Sequence, residues 1–348
     1  MGNGFVYQKK GDFPRLIYSR KDPGQDIPLH SSSSYTTFNP LRRPINLHQA
    51  LKPKDLNLNL KEYGKKTQIV TEETMRHLKI CSEVIAEVKD IMHYGAGNQL
   101  FSMLDTGGES AIRTEMSRES IRKAEKENSM GEIERKIKYA MQYQAGNCDE
   151  TNAIVFNILQ TKGLNAPLFS MADIQQDHAY TLIGDPRACE WGETNTVVVD
   201  AWPIYGTAYT LNKSRYNLKT NPEVTLAHPA STPTPESIKV HQTVNTNCVN
   251  QYLDHKSYPK VGNELVEFLY KKTHNPKTCL DKRVGTEDPS TRYRVKGDVS
   301  QTFDKISTEK LKKYYAIQKE AGKFIPNHPN WDIRPTRKSS FLSHLKSI

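Results

Sequence analysis

The sequence contains no uninterrupted apolar run of about 18 residues, the length that a membrane-spanning helix requires. Its first residues, MGNGFVYQKKGDFPRLIYSR, also lack the continuous apolar stretch of a secretory signal peptide. The mean hydropathy is -0.70, and charged residues make up 25% of the chain. We therefore predict a water-soluble protein that neither spans a membrane nor leaves the cell by the general secretory route.

Cysteine is scarce, and its spacing argues against two common kinds of cysteine site. The cysteines are odd in number and widely separated, and none form a C-x-x-C pair, the spacing typical of zinc sites and redox dithiols. This pattern favours a reducing compartment, and we predict neither a metal nor a cofactor. The five cysteines are Cys81, Cys148, Cys189, Cys248 and Cys279.

The net charge of +10 is not spread evenly along the chain. From Lys256 to the last residue there are 20 lysines and arginines against 10 aspartates and glutamates, so this part carries the whole excess. Such a region is typical of proteins that contact an anionic membrane or a nucleic acid. Because aromatic residues are sparse there and no nucleic-acid motif is present, we expect no specific nucleic acid partner. Two explanations of this basic region stay open: contact with an anionic membrane surface, and a basic face that is only solvated.

Composition and hydrophobic periodicity divide the chain into three regions. Residues 1–65 mix Pro, Ser, Asn and Lys without sustained periodicity, and we predict that they are largely disordered or extended. Residues 66–240 carry the clearest helix and strand patterns and are predicted to form the main domain. Residues 241–348 are predicted to form a basic, mainly helical region, with helices in NELVEFLYKKT and STEKLKKYYAIQKEAGKF.

Three segments of the main domain have the periodicity of helices. In TEETMRHLKICSEVIAEVKDIMHYG, apolar residues recur at intervals of three and four, which predicts an amphipathic helix with Cys81 on its buried face. A second helix is predicted in SMGEIERKIKYAMQYQ. A third is predicted from Cys148 to the turn at Lys162 and Gly163.

The strand signals follow these helices. HAYTLIG and TVVVDAW are rich in β-branched and aromatic residues and are separated by turn residues, so we predict two neighbouring antiparallel strands. GTAYTL is predicted to be a third, short strand. TNPEVTLAHPASTPTPES is predicted to be a Pro/Thr-rich connector.

Cys148, His178 and Asp200 stand in an order that suits a thiol nucleophile with an oriented base. Cys148 lies at a predicted helix start, where the macrodipole and free backbone N–H groups stabilise a thiolate, and Gly146 and Asn147 form the turn before it. His178 opens a strand, and Asp200 ends the apolar run VVVD. A carboxylate in that position costs free energy unless it is paired, so we expect it to bind His178.

Each of these residues also has an ordinary structural explanation. A single buried cysteine or histidine is more often structural than catalytic, and Asp200 could simply end a strand. Asp177 and Asp185 lie nearer His178 in sequence, but we expect Asp177 to point to the opposite strand face and Asp185 to lie in a turn. Asp200 is therefore the better predicted partner.

An acyl-transfer site also needs a donor for the oxyanion that forms during attack. The backbone N–H of Cys148 is one candidate, and the side chains of Gln142 and Gln144 are two others. A glutamine at the end of a helix is usually just solvated, so neither glutamine is strong evidence alone.

The blocks AGNCDE, DHAYTLIGDP and VVVDAWPIYGTAYTL resemble those of the AvrPphE/HopX family of bacterial type III effectors, and more broadly those of transglutaminase-like and papain-like cysteine enzymes. The resemblance covers residues 140–210. It implies that Cys148 is the nucleophile, His178 the base and Asp200 the orienting acid. It also implies that Trp202, which follows the acid, screens the site from water.

Two residues depart from the family's pattern. Asp149 stands where glycine commonly follows the cysteine, and Ala201 stands where proline commonly follows the acid. A carboxylate beside the nucleophile opposes thiolate formation, although Asp149 in a first helical turn also interacts favourably with the dipole. The degree to which Cys148 is activated is therefore the open point.

The residues and the resemblance together predict an α+β fold with a transglutaminase/papain-like core and helical additions. In this core, the helix bearing Cys148 packs on an antiparallel sheet bearing His178 and Asp200. The predicted reaction is attack on a protein amide through a thioester, as a protease, a glutamine deamidase or a transglutaminase. The alternative is a non-enzymatic effector or adaptor that keeps the fold for binding.

The resemblance also implies a place of action. A type III effector is secreted by a specialised bacterial system into host cells, so the implied substrate is a host protein in the reducing host cytosol. Membrane attachment could come from the basic C-terminal region or from acylation of Gly2. Val6 stands where serine or threonine is preferred, so the myristoylation signal is weak.

Overall fold

The computed structural model describes residues 35–38, 67–128, 130–203, 206–216, 218–234, 236–273, 285 and 292–296. Of the predicted N-terminal arm, this covers the strand Tyr35–Phe38 within residues 1–65. The helix predicted in STEKLKKYYAIQKEAGKF lies outside the described residues.

A five-stranded antiparallel sheet forms the centre of the fold. Its strands are β3 (Leu168–Asp173), β4 (His178–Ile183), β5 (Val197–Asp200), β6 (Thr207–Thr210) and β7 (Glu223–His228). They lie in the order β6-β5-β4-β3-β7. Strands β4 and β5 pair antiparallel, with Thr181 opposite Val199, which confirms the pairing predicted for HAYTLIG and TVVVDAW. The chain is thus a mixed α+β protein.

The connector predicted in TNPEVTLAHPASTPTPES is partly wrong. Its first half forms the edge strand β7, which pairs with β3 through contacts such as Phe169 with Ala227. The prolines that suggested a loop fall on either side of this strand, at Pro222 and Pro229, where they disturb no ladder hydrogen bond. A second, three-stranded sheet has the order β1-β8-β2, from β1 (Tyr35–Phe38), β2 (Thr67–Ile69) and β8 (Arg292–Lys296).

The larger hydrophobic core lies between the central sheet and the helices that precede the sheet in the chain. The helices are α1 (Glu72–Ile91), α2 (Leu100–Asp105), α3 (Glu109–Lys126), α4 (Glu132–Tyr143), α5 (Cys148–Gln160) and the short α6 (Gly192–Asn195). Helix α5 is buried along nearly its whole length because the sheet, α1 and α4 surround it, and this explains its continuous apolar run. All three helices predicted in the main domain are therefore present.

Two helices that follow residue 240 complete a second, smaller core. They are α7 (Thr246–Lys256) and α8 (Asn263–Thr273), and α8 coincides with the predicted NELVEFLYKKT. Val249, Leu253 and Leu265 pack with apolar residues of α2 and α3, such as Met103 and Ile112. The first part of the predicted C-terminal region thus shares a core with residues of the main domain. No helix in the described ranges is long and apolar enough to cross a bilayer.

His77 on α1 gives the fold a pH dependence. Its side chain is fully buried beside Trp191, and burial lowers its pKa from 6.5 to about 4, although nearby Glu73 opposes the shift. The unfolded chain therefore takes up this proton first, and stability falls as the pH drops from 6.5 towards 4. We expect the free energy of unfolding to decrease by about 2–3 kcal/mol through this group between neutral pH and about pH 4.5.

Urea denaturation of the wild type and of His77→Gln at both pH values measures this contribution. The variant should lose markedly less stability on acidification than the wild type. His93→Gln is the control, because His93 is exposed at the end of α1, and its acid response should match the wild type. Equal pH dependence of wild type and His77→Gln would contradict the assignment.

Candidate active site

Cys148 is the first residue of α5, and the turn before it is tightly built. Asn147 caps the helix in an extended conformation, and its backbone N–H donates to a Glu150 carboxylate oxygen at 2.8 Å, half of a capping box. Gly146 has no space for a side chain, because a Cβ there would lie 2.7 Å from Glu150 Cβ. The chain therefore enters the helix in one defined path that leaves the Cys148 thiol half-buried.

The sulfur of Cys148 lies against the turn that precedes strand β4. Cys148 Sγ is 4.0 Å from the carbonyl oxygen of Asp177, the residue immediately before His178. Asp177 has a φ of 52° and belongs to the turn that precedes the strand, with an exposed side chain, rather than to the opposite strand face as expected. The turn thus brings the thiol to the point where the strand with the histidine begins.

His178 and Asp200 form a hydrogen-bonded pair beneath this point. His178 Nε2 is 3.0 Å from Asp200 Oδ2, and both side chains are buried. Asp200 Oδ1 also accepts from the backbone N–H of Trp202 at 3.1 Å, and Oδ2 accepts from the Tyr216 hydroxyl. Burial would raise the pKa of Asp200, but the charge of His178 and the hydrogen bonds of these partners hold it below that of an ordinary aspartate. Asp200 is therefore ionised at neutral pH.

The other ring nitrogen of His178 is left for a reacting group. Nδ1 is buried and has no hydrogen-bond partner within the described part of the chain. Two aromatic rings hold the imidazole plane, Tyr216 at 4.6 Å and Trp202 at 4.9 Å between centroids, and the Tyr180 ring lies farther away at 6.0 Å. A ring held in this way, with Nε2 bound to a carboxylate, has Nδ1 available as a proton acceptor.

Trp202 also connects the two halves of the site through a residue that the sequence analysis missed. The Trp202 indole N–H donates to Asn98 Oδ1 at 3.0 Å, and the Asn98 backbone N–H donates to Asn147 Oδ1 at 3.2 Å. Asn98 therefore joins Trp202, two residues after the acid, to Asn147, the residue before the nucleophile. It lies in the loop between α1 and α2, where neither periodicity nor a motif distinguishes it.

Basic side chains neutralise the carboxylates around Cys148. Asp149 pairs with Lys136 at 2.6 Å, and Glu150 pairs with Arg118 through bonds of 2.8 and 3.1 Å. Burial lowers the pKa of Arg118, but its bond to Glu150 and the negative charges of Glu150, Cys148 and Asp149 raise it overall. The Asp149 carboxylate thus has a paired cation, and the Arg118 guanidinium favours a thiolate at Cys148.

The two glutamines proposed as oxyanion donors lie at the end of α4. The Gln142 carbonyl accepts from Val244 N–H at 2.8 Å, and the Gln144 carbonyl accepts from Tyr94 N–H at 3.0 Å. In the part of the chain that the structure describes, no hydrogen bond joins either amide side chain to Cys148 or His178. The first backbone N–H groups of α5 are the better placed donors, because they have no acceptor within the helix.

The remaining described cysteines lack such surroundings. Cys81 is buried on α1, and burial raises the pKa of its thiol well above the ordinary value. Cys189 and Cys248 are exposed, and Cys279 lies outside the described residues. Among the residues described, no group of three or more His, Cys, Asp or Glu side chains is arranged to hold a metal ion.

Comparisons of the chain with protein-family models, with curated proteins and with solved structures find no match. The likeness of its three short blocks to effector and cysteine-enzyme sequences therefore has no wider alignment behind it.

Proposed function

We propose that this protein is a cysteine enzyme that acts on a protein amide, with Cys148 as nucleophile, His178 as base and Asp200 as the acid that orients the base. One observation carries the proposal: the buried His178 pairs with Asp200 while its Nδ1 has no described partner, and Cys148 Sγ lies 4.0 Å from the carbonyl oxygen of the preceding residue, Asp177. An unpaired buried ring nitrogen costs free energy in a purely structural histidine. In an enzyme it is the atom that receives the thiol proton.

The chemistry proceeds in two halves. The Cys148 thiol gives its proton to Nδ1 of His178, and the thiolate attacks the amide carbonyl carbon to form a C–S bond. The oxyanion accepts hydrogen bonds from the N-terminal N–H groups of α5. The C–N bond then breaks, the imidazolium protonates the departing amine, and a thioester remains. Water or a second amine attacks the thioester and restores the thiol.

We further propose a transglutaminase/papain-like core, an effector that acts inside a host cell, and contact with an anionic membrane. A transglutaminase/papain-like core is supported by the placement of the cysteine at a helix start, the histidine at the start of β4 and the aspartate at the end of β5. The short motif resemblance supports a type III effector that meets a host protein in the reducing host cytosol. The basic region after Lys256 supports contact with an anionic membrane surface.

Quantitative mass spectrometry of a eukaryotic cell lysate tests the function. The lysate is incubated with the wild type, Cys148→Ala or Cys248→Ala. The wild type should convert glutamine to glutamate, create new chain termini or form cross-links, and these three outcomes identify deamidation, proteolysis and transglutamination. Cys148→Ala should produce none of them, because no nucleophile remains.

Cys248→Ala is the matched control, because Cys248 also lies in the first turn of a helix, α7, but is exposed. It should act like the wild type. Identical lysates after incubation with wild type and Cys148→Ala would reject the enzymatic proposal.

A further inference from the structure

Tyr216 lies buried beside the His178–Asp200 pair, and the mechanism above gives it no role. Its hydroxyl donates to Asp200 Oδ2, the same oxygen that binds His178. Its ring stacks on His178 with centroids 4.6 Å apart, and on Tyr180 with centroids 4.8 Å apart. Burial and the charge of Asp200 raise the pKa of Tyr216 well above 10. The hydroxyl therefore stays protonated at neutral pH and is always the donor in this bond.

The chain around Tyr216 is fixed from two sides. The Tyr216 backbone N–H donates to Ser214 Oγ at 2.9 Å, and the Arg215 N–H donates to the Gly285 carbonyl at 3.0 Å. A Cβ on Gly285 would lie 3.2 Å from the Tyr216 hydroxyl oxygen, and closer still to that of Tyr209. Because residue 285 is glycine, its backbone can approach the hydroxyls of Tyr209 and Tyr216 closely.

We propose that Tyr216 is a positioning residue that holds the Asp200 carboxylate charged and turned towards His178. The inference rests on the proposed function of the Cys148 site. Without the tyrosine hydroxyl, a buried carboxylate would depend on His178 and the Trp202 N–H alone for hydrogen bonds. Removing this hydrogen-bond donor raises the pKa of Asp200, so the carboxylate would take up a proton at a higher pH.

Four other ionisable groups lie around Asp200, and of these Tyr209, Tyr180 and His178 also contact Tyr216. Lys89 of α1 acts on Asp200 through its charge, but its Nζ is held by the Pro203 carbonyl at 2.6 Å. Tyr180 of β4 and Tyr209 of β6 also feel the Asp200 charge, and burial raises the pKa of both. His178 is the remaining partner. Tyr216→Phe therefore removes the hydroxyl's bond to Asp200 and its interaction with the Tyr209 side chain, and it leaves Lys89 and His178 in place.

The test is the pH profile of Cys148 alkylation by iodoacetamide, measured in the full chain for the wild type, Tyr216→Phe and Tyr180→Phe. At low pH the alkylation rate rises with pH, and Tyr216→Phe should shift this rising part of the profile to higher pH by about one unit. At a given pH in this range, the alkylation rate of Cys148 should therefore be about tenfold lower than in the wild type. On the alkaline plateau the two rates should agree. Tyr180→Phe is the matched control, since it removes a buried hydroxyl from the same stack that has no described hydrogen-bond partner, and should leave the whole profile unchanged.

A Tyr216→Phe profile that is unchanged, or that is slowed equally at every pH, overturns the inference, and so does an equal shift in Tyr180→Phe. If wild-type Cys148 reacts no faster than Cys248, the proposed function fails instead. A second measurement then still tests Tyr216: carbon-13 NMR of the Asp200 carboxyl, assigned with Asp200→Asn. The pKa of Asp200 must rise in Tyr216→Phe and not in Tyr180→Phe.

Discussion

In the variant His178→Ala, Cys148 should react with iodoacetamide near pH 6 about 100-fold more slowly than in the wild type. A cysteine with an ordinary pKa of about 8.5 is ionised to only about one part in 300 at that pH. In the wild type, the proposed base His178, held by Asp200, takes the thiol proton, and the Arg118 guanidinium favours the thiolate. The difference between the two proteins should shrink towards alkaline pH, where the thiol ionises without help.

The same samples contain their own reference for this measurement. Cys248 is exposed at the start of α7, so its rate should be equal in both proteins. His93→Ala, which removes an exposed histidine far from the β4 strand start in sequence, should leave the rate of Cys148 unchanged. Slow and equal labelling of Cys148 in wild type and His178→Ala would remove the basis for a thiolate nucleophile.

Replacing Arg113 by methionine should lower the free energy of unfolding by about 3–5 kcal/mol, the cost of leaving one partner of a buried ion pair uncompensated. Arg113 is fully buried in α3, and its Nε donates to Glu109 at 2.8 Å. Its Nη1 also donates to the Val244 carbonyl at 2.7 Å, and its guanidinium lies 3.6 Å from the Tyr94 ring centre. One side chain therefore joins α3 to the segments before α2 and before α7.

Urea denaturation of the single and double variants separates the pair from the other contacts. Arg113→Met together with Glu109→Gln should lose less stability than the sum of the single losses, because no unpaired charge stays buried. Arg76→Met is the control, since Arg76 also pairs with a glutamate on its own helix but is about half exposed. It should change stability by less than about 1 kcal/mol. A similarly small loss in Arg113→Met would show that the buried pair does not support the fold.

Local patterns predicted much of the site's framework. The amphipathic periodicity of α1 and α4, the turn before Cys148 and the apolar run after it all reflect contacts within a few residues, so they can be read directly. The charged segment after residue 110 gave no such signal, although it forms α3. This helix is held by a buried Arg113 and its distant carbonyl acceptors, and polar contacts of this kind have no period.

The edge strand β7 was misread for a related reason. One residue of this strand, Leu226, is buried, so its apolar alternation is weak, and the prolines near it dominated the prediction. Its pairing with β3 is decided by a neighbour that lies about 50 residues earlier in the chain. The strand propensity of the residues does not by itself predict such a distant partner.

The order and local setting of the three proposed catalytic residues follow from the amino-acid sequence: a cysteine at a helix start, a histidine opening one strand and an aspartate ending the next. The sequence also suggested that Asp149 opposes the thiolate. Only the packed structure shows that Lys136 pairs with Asp149, that Asn98 links Trp202 to Asn147, and that Tyr216 binds Asp200. Helix and strand patterns arise from neighbours along the chain, whereas charge pairing and hydrogen bonding in a site depend on which distant segments pack together.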